Sequence, residues 1–315
     1  MTKPKILIID DLHPIFKEHA IAAGYEVDDC PLITRAETMA VIANYEGIAV
    51  RTKFRIDQEL MTAGTKLKFV ARAGAGLDNI DVDFAAARGI ELLNAPEGNR
   101  DAVGEHAVGM LLSLMNNFQR ADAEIRKGIW NREGSRGYEL KGKTVGIIGY
   151  GFMGQSFAKK LAGFEVKVLA YDKYKIGFSD AFAQEASMEE IVKHSDVLSF
   201  HIPLTSETRQ MVDAEYLYHF KKPIFLLNTA RGEILNTQAL LQAIKEGKVL
   251  SAGLDVLEVE KFPALGEQAW YKDLIHCNQV LLTPHVGGWT FDSYRKISEV
   301  LAQKLAALPV GKQGS

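Results

Sequence analysis

Thr144-Val145-Gly146-Ile147-Ile148-Gly149-Tyr150-Gly151-Phe152-Met153-Gly154 passes from an apolar, β-branched stretch into a glycine-rich turn and then into a helical pattern. The next apolar run, Val166 to Tyr171, ends on Asp172. A lone G-x-G-x-x-G is common by chance, but one framed by strand, helix, second strand and terminal acid marks a dinucleotide-binding unit. Gly149 permits a tight turn, Gly151 lets a pyrophosphate approach the backbone, and Gly154 allows the helix to pack closely on the strand. The helix N-terminus faces the phosphates with unpaired N–H groups and the positive end of its dipole. Asp172 is placed to accept hydrogen bonds from the adenosine ribose hydroxyls, and its charge repels a 2′-phosphate. The expected cofactor is therefore NAD rather than NADP, with Lys173 and Lys175 the only hints against it. The bland alternative, a glycine turn that binds nothing, leaves the surrounding pattern unexplained.

Working outward, 315 residues is about twice the usual length of one domain, so two are expected. Short apolar runs alternate with helical patterns at Lys5 to Ile9, Gly47 to Val50, Lys68 to Ala71 and Ile90 to Leu93. A second series of strands follows at Thr144 to Ile148, Val166 to Tyr171, Val197 to Phe200, Ile224 to Leu227, Ser251 to Leu254 and Val280 to Thr283. Such alternation predicts an α/β fold built on parallel sheets with helices on their faces. The apolar spacing of Val103, Ala107, Met110, Leu111, Leu114, Met115 and Phe118 predicts one long helix from Asp101 to Trp130, joining the domains. The last helical pattern, Phe291 to Leu308, follows the final strand and needs a partner surface. Its return to the first domain makes a discontinuous substrate domain of 1–99 and 284–315 around a cofactor domain of 100–283.

A net charge of −3, with no basic stripe, argues against nucleic acid. No run approaches the length of a membrane span, and the four apolar residues Ile6 to Ile9 are too few for a signal-peptide core. Cys30 and Cys277 are far apart, without metal-ligand spacing, so neither a disulfide framework nor a metal is expected and the cytoplasm is the default. Arg72-Ala73-Gly74-Ala75-Gly76-Leu77-Asp78 echoes the glycine motif without its third glycine. It reads as a ligand loop at a strand end or as a mere tight turn.

In an open parallel sheet, ligands collect beyond the carboxyl ends of the strands. Arg231, Glu260 and His285 follow three such ends. Singly each reads as an ordinary loop residue; beside a nicotinamide they form a hydride-transfer set. His285 is suited to exchange the alcohol proton, and Glu260 to fix its tautomer and stabilise the imidazolium. Arg231 suits a substrate carboxylate and the charge developing on the carbonyl oxygen. His106, beside Glu105, reads as a packed or interface residue, and His13, His19, His194, His219 and His276 show no partner spacing.

Asn228-Thr229-Ala230-Arg231-Gly232-Glu233, Leu254-Asp255-Val256 to Glu260, Thr283-Pro284-His285-Val286-Gly287-Gly288 and His201-Ile202-Pro203-Leu204-Thr205 resemble motifs of the D-isomer-specific 2-hydroxyacid dehydrogenase family. The resemblance spans nearly the whole chain and implies two doubly wound, Rossmann-like parallel-sheet domains, with the C-terminal helix returning to the first. It implies that Arg231, Glu260 and His285 are catalytic. It also implies cofactor contacts at Gly149, Gly151, Phe152, Met153, Gly154, Asp172, His201, Ile202, Pro203, Ala230, Asp255, Gly287 and Gly288, and assembly as a homodimer. Val50-Arg51-Thr52, the Arg72 segment and Trp130-Asn131-Arg132 resemble the members that act on 3-phosphoglycerate in serine biosynthesis. That implies a phosphorylated substrate held by Arg51, Arg72, Ala73, Gly74, Ala75 and Arg132 together with Arg231 and His285. A hydroxypyruvate, glyoxylate or D-lactate enzyme is the nearest alternative, and an NAD-sensing corepressor-like binding protein the alternative from another class. Two residues depart from the family pattern. Trp289 stands where a small residue is usual, and Phe152-Met153 replaces an Arg-Ile pair. No regulatory extension is expected after Ser315.

Overall fold

In the computed structural model, which describes residues 3–308, the chain divides into two compact units. One runs to Asn99 and resumes at Trp289, and the other spans Arg100–Gly288. The second crossing lies after Gly288, not at 283/284 as the sequence predicts. The 283–288 turn stays with the middle unit because the Asp255 carboxylate accepts hydrogen bonds from Thr283, Val286 and Gly287.

The first unit carries β1 (Lys5–Ile8), α1 (Ile15–Ala22), β2 (Glu26–Asp29), α2 (Arg35–Val41), β3 (Gly47–Val50), α3 (Gln58–Ala63), β4 (Phe69–Arg72), α4 (Val82–Ala87) and β5 (Glu91–Asn94). Its strands are parallel in the order β2-β1-β3-β4-β5, so the winding reverses between β1 and β3. The sequence misses β2. Its residues, Glu-Val-Asp-Asp, carry three acids and occupy the sheet edge, where pairing with β1 rather than local preference makes the strand.

From there α5 (Pro96–Met115) carries the chain into the second unit and is followed by α6 (Phe118–Arg126). The single helix expected from Asp101 to Trp130 is thus two. Asn117 adopts the left-handed conformation, with φ 55°, which asparagine tolerates better than most residues and which breaks the α-helical path. The apolar stripe of α5 is buried at Ala107, Met110, Leu111, Leu114 and Met115, whereas Phe118 beyond the break is exposed.

The second unit continues with β6 (Thr144–Ile148), α7 (Phe152–Lys160), β7 (Lys167–Tyr171), β8 (Gln184–Glu185), α8 (Met188–His194), β9 (Val197–Phe200), α9 (Ala214–His219), β10 (Ile224–Asn228), α10 (Thr237–Lys245), β11 (Val249–Leu254), α11 (Tyr271–His276) and β12 (Val280–Leu282). The order β12-β11-β10-β9-β6-β7-β8 is all parallel and reverses between β6 and β9. Two apolar cores cover this sheet, one gathering α5 and α7 and the other α8, α9 and α10.

Finally α12 (Phe291–Ala307) returns to the first unit, as its unpaired apolar face requires. Ile297, Leu301, Ala302 and Leu305 join Ile6, Ile8, Phe16 and Phe69 in one buried cluster, and Lys304 pairs with Glu97. Thr290 caps the helix in a reciprocal box with Ser293. Among the described residues no helix is long and apolar enough to cross a membrane.

Candidate active site

The glycine loop follows β6 at the point where the second sheet reverses, and three observations show why its glycines stand where they do. Gly149 has φ 93°, and a Cβ there would lie 2.6 Å from the His201 carbonyl oxygen. At Gly154 a Cβ would land on the Gly149 carbonyl oxygen, so the helix could not pack against the turn. Gly151 is different: a Cβ added there meets nothing within 4 Å. Its lack of a side chain serves no protein contact and leaves the backbone open to a ligand. No side chain caps α7, so its first N–H groups remain free for an anion. These features fit a dinucleotide pyrophosphate. Phe152, where the family pattern has arginine, is 42% exposed and adds no charge to the loop.

Asp172, just past β7, is fixed by the chain around it. Its Oδ2 accepts from the Tyr150 amide at 2.9 Å and its Oδ1 from the Tyr174 amide at 3.0 Å. The two lysines that argued for a 2′-phosphate are engaged elsewhere. Lys173 pairs with Glu207 at 2.5 Å, and Lys175 donates to the Tyr150 carbonyl at 2.7 Å. The loop after β9 lies against Gly149 through the His201 carbonyl and the Ile202 side chain. The His201 imidazole itself turns inward, bonded to Ser199 at 2.9 Å and tilted against Phe157, and burial lowers its pKa to about 4. It is neutral and presents no charge to a ligand.

At the carboxyl ends of β10, β11 and β12 stand Arg231, Glu260 and His285. His285 Nδ1 lies 2.9 Å from Glu260 Oε2, and this hydrogen bond raises the histidine pKa above its ordinary value, against the opposing effect of burial. The negative charge of Asp255 adds to the rise, and the positive charge of Arg231 works against it. Asn228, fully buried, shapes the Arg231 loop by donating to the Arg231 carbonyl at 2.9 Å and accepting from the Ala230 amide at 3.1 Å. The Arg231 guanidinium donates to the Ala230 carbonyl at 2.6 Å. His285 has φ 55°, a conformation unusual for a side-chain-bearing residue.

Asp255 holds the turn that carries His285. It is 2% exposed, and accepts from the Thr283 hydroxyl at 2.6 Å, the Val286 amide at 2.9 Å and the Gly287 amide at 2.8 Å. Burial would raise this carboxyl, but the donors, with His106 beside it at 3.5 Å, together hold it below the usual carboxylate range. The resemblance implied that Asp255 touches the cofactor; so little surface leaves its oxygens to the turn. His106, set aside in the sequence as a packing residue, bonds the Thr283 hydroxyl at 3.1 Å and joins this network. Its partners lie more than a hundred residues away, so no local spacing signals it.

In the first unit, Arg51 follows β3 and Arg72 ends β4, neighbouring strands. Asp10, just past β1, accepts from the Arg51, Thr52 and Lys53 amides at 3.0, 2.7 and 2.9 Å. That tether went unread in the sequence, although an acid directly beyond the first apolar run was its signal. The Arg72 guanidinium folds over Gly74, where a Cβ would strike it, and the loop is held by the Asn94 side chain donating to the Ala75 carbonyl at 2.7 Å. The segment is a shaped loop at a strand end. Arg132 lies in the other unit on an exposed stretch between α6 and β6, so the three arginines are not gathered within one unit.

Comparison with known proteins adds the family. Residues 108–287 match the model for the D-isomer specific 2-hydroxyacid dehydrogenase, NAD binding domain. The chain is similar to the hydroxypyruvate reductase of Thermotoga maritima, 36% identical over 87% of this chain and 88% of that one. It is also 35% identical to the D-3-phosphoglycerate dehydrogenase of Mycobacterium leprae over 99% of its own length, but spans only 58% of that relative. Among solved structures, the D-lactate dehydrogenase of Aquifex aeolicus complexed with NAD and lactic acid superposes with a TM-score of 0.80 at 27% identity, covering 96% of this chain and 94% of that one.

Proposed function

We propose, from the premise that this chain belongs to the D-isomer-specific 2-hydroxyacid dehydrogenase family, that its substrate pair is 3-phosphoglycerate and 3-phosphohydroxypyruvate. The chain is an NAD-dependent oxidoreductase acting on the CH–OH group of a D-2-hydroxy acid. Bound NAD supplies the hydride acceptor, or as NADH the donor, for the substrate C2. Around it, the residues divide the remaining work. His285, with Nδ1 engaged by Glu260, takes the hydroxyl proton at Nε2 in oxidation and returns it in reduction. Glu260 stabilises the imidazolium, and Arg231 holds the substrate carboxylate and leans on the oxygen where charge develops. The Gly149 to Gly154 loop and Asp172 hold the cofactor.

The phosphorylated substrate is carried by one observation: Arg51 and Arg72 stand at adjacent strand ends, with the Arg51 backbone tethered by Asp10. Two guanidinium groups match a dianion with several acceptor oxygens. Steady-state NADH oxidation over a panel of 2-oxo acids, with and without phosphate, tests the reading in wild type and Arg51→Ala. A phosphate advantage that Arg51→Ala abolishes is the expected result; equal kcat/KM for phosphohydroxypyruvate and hydroxypyruvate in wild type overturns it. In that event hydroxypyruvate reduction, favoured by a relative of which this chain covers 88%, becomes the better reading. A homodimer in the cytoplasm belongs to the same proposal, supported by exposed Phe118 and Ile125 on α6 and Trp130 just beyond it, and by two free cysteines.

A further inference from the structure

Arg51 does not stand alone at its strand end. Its guanidinium carbon lies 4.1 Å from the centroid of the Trp289 ring, so the cation is stacked on the indole face. Trp289 is itself fixed. The Tyr294 ring meets it edge-on at 5.3 Å, and the Tyr294 hydroxyl donates to Asp11 at 2.8 Å. His13 closes on Tyr294 from another direction at 5.3 Å, and the capping box at Thr290 sets the backbone next to the indole. On the other side, Asp10 pins the Arg51 amide. Both ends of the stack are therefore anchored in the first unit, where β1 and β3 meet at the reversal of the sheet.

Stacking engages the face of a guanidinium and leaves its N–H edge available. Among the described residues, no carboxylate, carbonyl or hydroxyl accepts from the Arg51 guanidinium, whose contact is with Trp289. A long side chain that would otherwise sample many rotamers is thus held over one ring, with its donors unspent on protein acceptors among the described residues. Trp289 remains 42% exposed, so the shelf is open to solvent.

We propose that Trp289 is a positioning residue that sets substrate choice, its indole holding the Arg51 guanidinium edge-on for a phosphate-type dianion on the distal end of a 2-hydroxy acid. This rests on the assignment of a phosphorylated substrate made above. The indole that departs from the family pattern is then not an obstruction to the phosphate but part of what receives it.

The test uses the full-length chain with NADH, comparing kcat and KM for phosphohydroxypyruvate and hydroxypyruvate in wild type, W289L, W289F, R51A and the double variant W289L/R51A. W289L is expected to raise KM for the phosphorylated substrate about fivefold, the loss of a partly exposed stacking contact, with kcat within about twofold and hydroxypyruvate kinetics unchanged. W289F keeps a ring under the cation and should lose about threefold, which preserves the test if W289L folds poorly. In the double variant, removing Trp289 after Arg51 should cost nothing further. Equal losses for both substrates in W289L and W289F, or independent multiplication of the W289L and R51A effects, overturn the inference while leaving the function intact. A wild type without any preference for phosphate overturns both.

Discussion

His285 Nδ1 lies 2.9 Å from Glu260 Oε2, which leaves Nε2 as the ring nitrogen for the proton transfer proposed above. Because the bond raises the His285 pKa above its usual value, the imidazole stays protonated to a higher pH than a free histidine does. Oxidation needs the neutral base, so its kcat/KM should rise with pH along a limb lying above about 6.5; reduction needs the imidazolium and should fall along the same limb. Glu260→Gln removes the charge and moves both limbs down, with maximal rate lowered roughly tenfold or more. Pitting pH profiles in the two directions against each other checks this. A limb that stays put in the variant would assign the titration to another group. The pair also contributes to folding below about pH 6.5, where the unfolded histidine is charged too, and that contribution fades as pH rises through the raised value. Since both side chains are more than a third exposed, the effect on stability is small.

Asp255 carries the opposite expectation, a small effect on ligand contact and a large one on structure. Replacing it by Ala leaves two buried amides and a hydroxyl around the 283–287 turn without their acceptor, a loss of about 3 kcal/mol. Its carboxyl is held low, so its contribution is complete above about pH 4 and is lost as pH falls through the depressed value. Denaturant unfolding of Asp255→Ala near neutral pH and in acid should show a deficit that shrinks in acid. A deficit that does not change with pH would mean that the carboxylate charge is not what holds the turn.

How much of this was written locally in the chain differs from residue to residue. The strands that read most plainly, Gly47–Val50, Thr144–Ile148 and Val197–Phe200, are apolar on every position or nearly so because both faces of a parallel sheet are covered. Glu26–Asp29, an edge strand with three acids, carries no such signal and becomes a strand only by pairing with β1. The break at Asn116-Asn117 was visible as a polar pair, but an apolar residue at helical spacing beyond it, Phe118, masked it. Motif residues of the site were legible because short segments specify them. The Asp10 tether, the Arg51–Trp289 stack and the His106–Thr283–Asp255 network were not, because each joins segments tens to hundreds of residues apart.

Under the proposed function, cofactor choice rests on Asp172, and the lysines beside it are engaged elsewhere. Asp172→Ser should raise KM for NAD about tenfold, since a charge-assisted acceptor for the ribose hydroxyls is lost. It should also narrow the preference over NADP by removing the repulsion of the 2′-phosphate. Lys173 is paired with Glu207 and Lys175 with a backbone carbonyl, so NADP gains no ready cation from the single change. Adding Glu207→Ala frees Lys173 and should improve NADP use further. Initial rates with both cofactors in the single and double variants decide, and an unchanged NAD to NADP ratio in Asp172→Ser would remove Asp172 from the site.

Gly151 and Gly154 sit three residues apart in one loop, yet the same substitution should fail in different ways. A methyl group at Gly154 meets the Gly149 carbonyl oxygen and forces the turn and α7 apart, so Gly154→Ala should lower the melting temperature with or without ligand. The equivalent position at Gly151 has no protein atom within 4 Å. Gly151→Ala should therefore melt within about 2 °C of wild type, since a methyl group in open space costs little. The methyl group instead occupies the approach of the pyrophosphate, and NADH affinity should fall roughly tenfold or more. Thermal unfolding with and without NADH, alongside a fluorescence titration, separates the two. If Gly151→Ala binds NADH as wild type does, the cofactor phosphates do not pass over this turn.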